Sequence, residues 1–350
     1  MPASVLIAAS GVVTNLGAGA ERNINALREG QGRFSRIELN DFEEKLSLPY
    51  LAACNNRLSA QERSDRLLDE AINEVLSQQP LPADAISTMP VFIGSSSNGI
   101  GLGEEIYRRA IREQPDPLPL PLDGFTQISR RLRDKHGFNG ADFSYNTACT
   151  ASANALLGAV ASIRHGGQHY ALVVGLESFN TTTLAGFHGM QLLSSEEMRP
   201  FCKHRAGLVL GEGCSVLLLR RGDADESGFH LLGGASRCDT YSISASNPDG
   251  SAIADLMNTA LSRFHLNPQD IVAIKAHGTA SPLNDDGEAA GMRRVFDNVP
   301  DFFSMKSCIG HTLGSCGAIE TALLASCIQS GFLPASAGFK ERDPALGLRL

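Results

Sequence analysis

Short unbroken apolar runs recur along the chain, at Ser4–Ala9, Pro90–Ile93, Tyr170–Val174 and Ser215–Leu219. Runs of this kind, without polar alternation, predict strands buried on both faces. Between and around them lie longer segments with helical spacing of apolar positions: Leu67–Leu76, Gly103–Arg112, Thr126–Lys135 and Ala151–Arg164. A second set follows, with strands predicted at His230–Ala235 and Ile271–Ala276 and helices at Ala252–Phe264 and Ile319–Gln329. The alternation predicts layered α/β architecture. The proline-rich stretch Pro115–Pro121 reads as a surface loop.

The pattern contains a faint repeat. Thr147-Ala-Cys-Thr-Ala-Ser-Ala-Asn leads into a small-residue helix ending at His165-Gly166, and Thr312-Leu-Gly-Ser-Cys-Gly-Ala-Ile leads into another ending at Ser330-Gly331. An offset of 165 aligns Ala153 with Ala318, Ile163 with Ile328 and Gly166 with Gly331. Helices this poor in bulk suit close packing, against each other among other choices. Alanine-rich helices also resemble one another by chance, and the repeat alone does not separate the two.

With 350 residues the chain exceeds what one core usually serves, which favours two cores or one duplicated core. Hydrophobic residues at 43% and charged residues at 19% fit a soluble globular protein. The 35 glycines cluster beside apolar runs, as in α/β turns. A net charge of −8 argues against nucleic acid as the main partner. No apolar run approaches membrane-spanning length, and the opening MPASVLIAASGVV has no basic leader or cleavage signal, so the cytoplasm is the expected compartment. The eight cysteines show no CxxC pair and no zinc spacing, so no metal site is expected.

One cysteine stands apart. Cys149 follows Phe143-Ser-Tyr-Asn-Thr-Ala and precedes the predicted helix Ala151–Arg164. Unpaired backbone N–H groups and the positive end of a helix dipole favour a thiolate there. His277, in Lys275-Ala-His-Gly-Thr-Ala-Ser-Pro, sits just past an apolar strand, where α/β sheets place ligands. His311, in Lys306-Ser-Cys-Ile-Gly-His-Thr-Leu-Gly, also lies between a strand-like segment and a helix. A lone residue of either type is more often structural; three at such turns make a candidate site. A thiolate can take an acyl group from a thioester, and two neutral imidazoles can stabilise an enolate. A hydrolase would pair one Cys with one His and an orienting acid or amide. Spacing does not choose between them.

Several motifs together resemble the β-ketoacyl-[acyl carrier protein] synthases of the I/II group: Gly11-Val-Val-Thr-Asn-Leu-Gly, Asn146-Thr-Ala-Cys-Thr-Ala-Ser, Arg199-Pro-Phe, Gly211-Glu-Gly, His277-Gly-Thr-Ala-Ser-Pro and Lys306-Ser-Cys-Ile-Gly-His-Thr-Leu-Gly. The resemblance implies a thiolase-like fold of duplicated α/β/α/β/α layers, with an N-terminal half over 1–225 and a C-terminal half over 226–350. It implies Cys149 as acylated nucleophile, its backbone N–H in an oxyanion hole. His277 and His311 would support malonyl decarboxylation, with Lys306 as electrostatic partner, paired with Glu288. Asp285, Glu288 and Glu320 fall where the family places acidic residues. No cofactor is implied. The implied partners are an acidic acyl carrier protein and a second synthase subunit, identical or related. Arg63, Arg66, Lys203 and Arg205 match carrier-facing regions, and Arg130, Arg131, Arg133 and Lys135 form another basic run. Phe187, Met190 and Leu193 fit a dimer interface or acyl tunnel, and core packing explains them equally well.

The match has departures. Cys202 stands where the family usually has Asp, and Arg205-Ala-Gly-Leu replaces Arg-Asp-Gly-Phe. These point to a specialised member, of polyketide or aryl-polyene type. The family's Gly-Phe-Gly-Gly-type loop and last strand have no counterpart before Leu350, so the C-terminal half is expected to be incomplete at its end. That loop supplies a second oxyanion N–H, whose loss typically costs ~10²–10³ in rate. A non-catalytic subunit that shapes a partner synthase is therefore the alternative function.

Overall fold

A computed structural model describes residues 4–348 apart from 31, 33–34, 41–44, 56, 98, 114–123 and 243–245, with only the backbone of residue 125. The loop expected at Pro115–Pro121 lies outside the described residues. The strands are β1 (Ser4–Thr14), β2 (Gly17–Ala18), β3 (Ser35–Leu39), β4 (Leu46–Leu51), β5 (Val91–Gly94), β6 (Asp142–Tyr145), β7 (Tyr170–Glu177), β8 (Leu210–Gly211), β9 (Gly213–Gly222), β10 (Ala273–Lys275) and β11 (Asp301–Phe303). The helices of the first part are α1 (Ala20–Arg28), α2 (Ala60–Gln78), α3 (Ala83–Thr88), α4 (Ile100–Glu113), α5 (Gln127–His136), α6 (Ala151–His165) and α7 (Thr181–Gly189). Those of the second are α8 (Ser251–Arg263), α9 (Pro282–Val295), α10 (Lys306–Ile309) and α11 (Cys316–Gln329).

Six strands form the main sheet in the order β2-β1-β9-β7-β5-β6, with β5 parallel to both β6 and β7. The apolar runs read as strands become β1, β5, β7 and β9. Their residues are buried on both faces because helices cover both. On one face α2 packs Leu67, Leu68, Ala71, Ile72 and Val75 against β1, β5, β7 and β9. On the other face α6 contributes Ala155, Ala159, Val160 and Ile163, joined by Ala318 and Ala322 of α11. The opposite side of α11 places Ile319 and Leu323 with Phe303 of β11. Beyond the parallel pair β10–β11, α9 adds Ala289 and Met292 to Phe302. The succession is α2, main sheet, α6 with α11, second sheet, α9, the five-layer arrangement expected.

The repeat is structural. Ala151 begins α6 and Cys316, at the offset of 165, begins α11. Each helix follows a three-residue 3₁₀ turn whose first residue is non-glycine with positive φ, Ala148 at 50° and Leu313 at 47°. Small residues let the two helices meet: a Cβ on Gly317 would lie 2.4 Å from the backbone nitrogen of Ala153. Ser152 Oγ also accepts the Ala318 N–H at 3.0 Å.

One expected strand is absent. His230–Ala235 forms a single bridge, Leu6 with His230, although Leu231 N–H and the Phe229 carbonyl still bond the open edge of β1. The expected strand at Ile271–Ala276 shortens to β10, which leaves Val272 85% exposed. Phe187 and Leu193 pack against the cluster around β3, β4 and Leu184, whereas Met190 lies open to solvent. Among the described residues no helix is long and apolar enough to cross a membrane.

Candidate active site

The two 3₁₀ turns bring the chemistry together. The turn Ala148–Thr150 holds Cys149 at the mouth of α6, partly exposed. Positive φ at Ala148 turns the chain sharply into the cysteine, a strained geometry common at functional sites. The backbone N–H of Cys149 has no partner among the described residues, so it is available to a developing oxyanion.

His311 is buried just ahead of the second turn, and its Nε2 lies 3.1 Å from Cys149 Sγ. Its other nitrogen fixes the tautomer. Leu313 N–H donates to Nδ1 at 3.1 Å, so Nδ1 is an acceptor and the neutral ring carries its proton on Nε2. The imidazole therefore presents an N–H to the sulfur.

His277 follows β10 and stands edge-on to His311, ring centroids 5.3 Å apart at 86°. Cys149 Sγ and one nitrogen from each histidine lie within 4.8 Å of one another. Burial lowers the His277 pKa well below the ordinary 6.5, and the nearby Lys306 cation lowers it further. His277 is thus neutral at physiological pH. Among the described residues this is also the one group of three potential metal ligands. The lysine ammoniums that bear on His277 oppose a cation there.

Buried carboxylates hold the turns. Glu288 of α9 accepts the N–H groups of His277 (2.6 Å) and Gly278 (2.8 Å). Asp285, one turn earlier on α9, accepts those of Thr279 (3.1 Å), Ala280 (3.2 Å) and Phe201 (2.8 Å). Burial pushes the Asp285 carboxyl up to about 7 despite these donors. Glu177, at the end of β7, accepts the N–H groups of Ser96, Ser97 and Gly314 and so ties the second turn to the end of β5. Glu212 accepts those of Ala53, Cys54 and Phe179. Glu212 lies in the Gly211-Glu-Gly motif, which does not disclose its role, and Glu177 lies in none of the motifs. The available signal was an acid closing the otherwise apolar run Tyr170–Glu177.

Lys306 is fully buried, and the expected partner is corrected. Its ammonium meets Glu320 Oε1 at 2.5 Å, not Glu288, whose carboxylate is occupied by backbone N–H groups. Lys275 binds the other Glu320 oxygen. Burial alone would depress the Lys306 pKa; the Glu320 carboxylate outweighs it and holds the ammonium above the ordinary lysine value. Burial likewise opposes ionisation of Glu320, and the two ammoniums bring it down to about 2.

Two expected carrier contacts are also corrected. Arg63 is 3% exposed and paired with Glu212 at 2.5 Å. The Arg205 side chain is 7% exposed, held by Asp286 at 2.6 Å and Asp343 at 2.5 Å. Neither offers its charge to a partner. Arg66 and Lys203 are about half exposed and paired with Glu70 and Glu341. In the other basic run, Arg131 and Lys135 converge on Asp69.

Comparison with known proteins follows the same lines. The family profile described as "Beta-ketoacyl synthase, N-terminal domain" matches residues 3–224, and "Beta-ketoacyl synthase, C-terminal domain" matches residues 229–340. Nodulation protein E of Rhizobium leguminosarum bv. trifolii is 29% identical over 99% of this chain and 92% of its own. The 3-oxoacyl-[acyl-carrier-protein] synthase 2 of Synechocystis sp. is 29% identical over 80% of this chain and 71% of its own. Among solved structures, a chain of the complex between the ketosynthase ApeO and its chain length factor ApeC, from Xenorhabdus doucetiae, superposes with a TM-score of 0.82 at 27% identity, covering 99% of this chain and 90% of that one. With both profiles matched across most of its length, and a cysteine and two histidines gathered at its paired turns, the chain belongs to the β-ketoacyl synthase family.

Proposed function

We propose that the protein is a β-ketoacyl-[acyl carrier protein] synthase acting in the cytoplasm. Residues 1–225 would supply the nucleophile and residues 226–350 both histidines. The observation that carries this reading is the Nε2–H of His311 aimed at Cys149 Sγ from 3.1 Å, with neutral His277 beside it. The Cys149 thiolate attacks an acyl thioester, and the carrier thiol leaves as the acyl group moves to Sγ. The N–H of Cys149, without a partner among the described residues, supports the oxyanion of that step. Malonyl-carrier thioester then places its carbonyl oxygen against the imidazole N–H groups. Carbon dioxide departs, and the electron pair left behind forms an enolate held by those donors. Its carbon attacks the acyl-cysteine, the carbon–sulfur bond breaks, and Cys149 returns as thiolate. Lys306 and Glu320 set the electrostatics behind the histidines, and Glu288 and Asp285 hold the His277 turn.

A pH prediction follows from His277. Because its pKa is depressed, the folded protein refuses a proton that the unfolded chain accepts below 6.5. Stability is therefore expected to hold above 6.5 and to fall as the pH drops below it. The pH profile of kcat/KM should show no loss near 6.5 assignable to His277. Urea unfolding and initial rates between about pH 5 and 8 check both.

The similarity to a chain from a ketosynthase–chain length factor complex favours a dimer with a related subunit or a second copy. Strand β6 suits that contact, since it is the last strand of the main sheet and leaves Phe143 47% exposed. Of the four cations expected to face an acidic carrier protein, Arg66 and Lys203 are the accessible ones. The substrate pathway is fatty-acid or polyketide/aryl-polyene synthesis. The test is condensation by the purified chain with acyl- and malonyl-carrier protein. Carbon dioxide and β-ketoacyl product in equal amounts are expected. Product appearing only after addition of a related synthase would instead support the non-catalytic subunit.

A further inference from the structure

The second turn carries a thiol that the mechanism above does not use. Cys316, the first residue of α11, is 3% exposed, and its Sγ lies 3.2 Å from His311 Nδ1. Thr312 Oγ1 donates to the same sulfur at 3.5 Å. The groups form one line: Thr312 hydroxyl, Cys316 thiol, His311 ring, Cys149 sulfur.

The direction of the line is set by the backbone. Leu313 N–H points at Nδ1, so a proton on Nδ1 would face another N–H. Nδ1 therefore accepts, and the Cys316 S–H is the second donor to it. Burial pushes the Cys316 pKa up to about 11, so the thiol keeps that proton at neutral pH.

The fold does not ask for sulfur here. At the offset of 165 the matching residue is Ala151, fully buried at the start of α6. The same turn and helix junction closes around a methyl group in one half and a thiol in the other. What differs is the neighbour: the thiol touches His311.

We infer that Cys316 is a positioning residue, whose S–H, with the Leu313 N–H, keeps the His311 proton on Nε2 and the ring turned toward Cys149. The inference rests on the synthase reading for its consequence in catalysis, though not for its effect on the Cys149 thiol. By holding Nε2–H on the sulfur, Cys316 stabilises the Cys149 thiolate and later orients the donor that meets the malonyl carbonyl.

The experiment uses the full chain with Cys316→Ala and Cys316→Ser. The first readout is the pH dependence of Cys149 alkylation by iodoacetamide, followed on the Cys149 peptide by mass spectrometry. Cys316→Ala is expected to move the midpoint upward and to slow alkylation at pH 7 by ~3–10-fold, the weight of one neutral hydrogen bond. Cys316→Ser keeps a donor and is expected to stay within about twofold of wild type. The second readout is condensation, where Cys316→Ala should lower kcat and leave KM for the malonyl substrate unchanged. An unchanged midpoint in Cys316→Ala overturns the inference, and so do equal losses in the Ala and Ser variants. If no variant condenses, wild type included, while the alkylation profiles move as stated, the synthase reading fails and the positioning role stands.

Discussion

Glu320→Gln is expected to destabilise the protein by about 3–5 kcal/mol, the usual cost of leaving a buried charge unpaired. Glu320 is 3% exposed and neutralises two ammoniums. Lys306 has no route to water, while Lys275, 20% exposed, can turn toward solvent. The loss should therefore come mainly from Lys306. A double variant, Lys306→Met with Glu320→Gln, removes the stranded charge and should recover part of the stability. The pH dependence has a defined sign. The Glu320 pKa is depressed in the folded state, so its contribution is present above about 4.5 and lost as the pH falls toward about 2. Urea unfolding of the three proteins at pH 7, with the wild type also taken to acid, measures both effects. Equal stability of wild type and Glu320→Gln would contradict the assignment of the pair.

The histidine variants are expected to separate the two chemical steps. His311→Ala removes the N–H on Cys149 Sγ and one donor to the malonyl carbonyl. It should slow acylation and lower condensation by ~10²–10³, the typical effect of losing one preorganised donor. His277 neighbours His311 but makes no hydrogen bond to Sγ among the described residues. His277→Ala should therefore acylate nearly as wild type and fail in decarboxylation. Single-turnover acyl transfer, measured apart from carbon dioxide release, distinguishes them. Identical defects in both variants and both steps would contradict the division of roles.

The chain announces some of this arrangement and hides the rest, for physical reasons. Strands β1, β5, β7 and β9 are legible because helices cover both faces and exclude polar residues. Strand β6, Asp142–Tyr145, is not, because its alternation of polar and apolar residues is only four residues long and neither of its apolar side chains is buried. Leu231 and Leu232 make His230–Ala235 look like a strand, yet the segment finds only one bridge. Helix α9 is the instructive failure. Its Asp285 and Glu288 point inward, where they replace water for the N–H groups of the His277 turn. Buried acids defeat an amphipathic reading, which assigns charge to solvent. The same holds for Arg63 and Arg205, legible as surface cations and found closed in ion pairs. Cys149, His277 and His311 could be selected because each lies beside a glycine-containing turn or helix start. The choice of Glu320 as the partner of Lys306 depends on how α11 packs, which spacing does not encode.

The central claim is that Cys149 accepts an acyl group, and intact-protein mass spectrometry after incubation with acyl-carrier-protein thioesters tests it most directly. The account predicts an acyl mass increment on the wild type and none on a folded Cys149→Ala variant. An increment that survives in Cys149→Ala, or a folded wild type that stays unmodified across several acyl chain lengths, would contradict it.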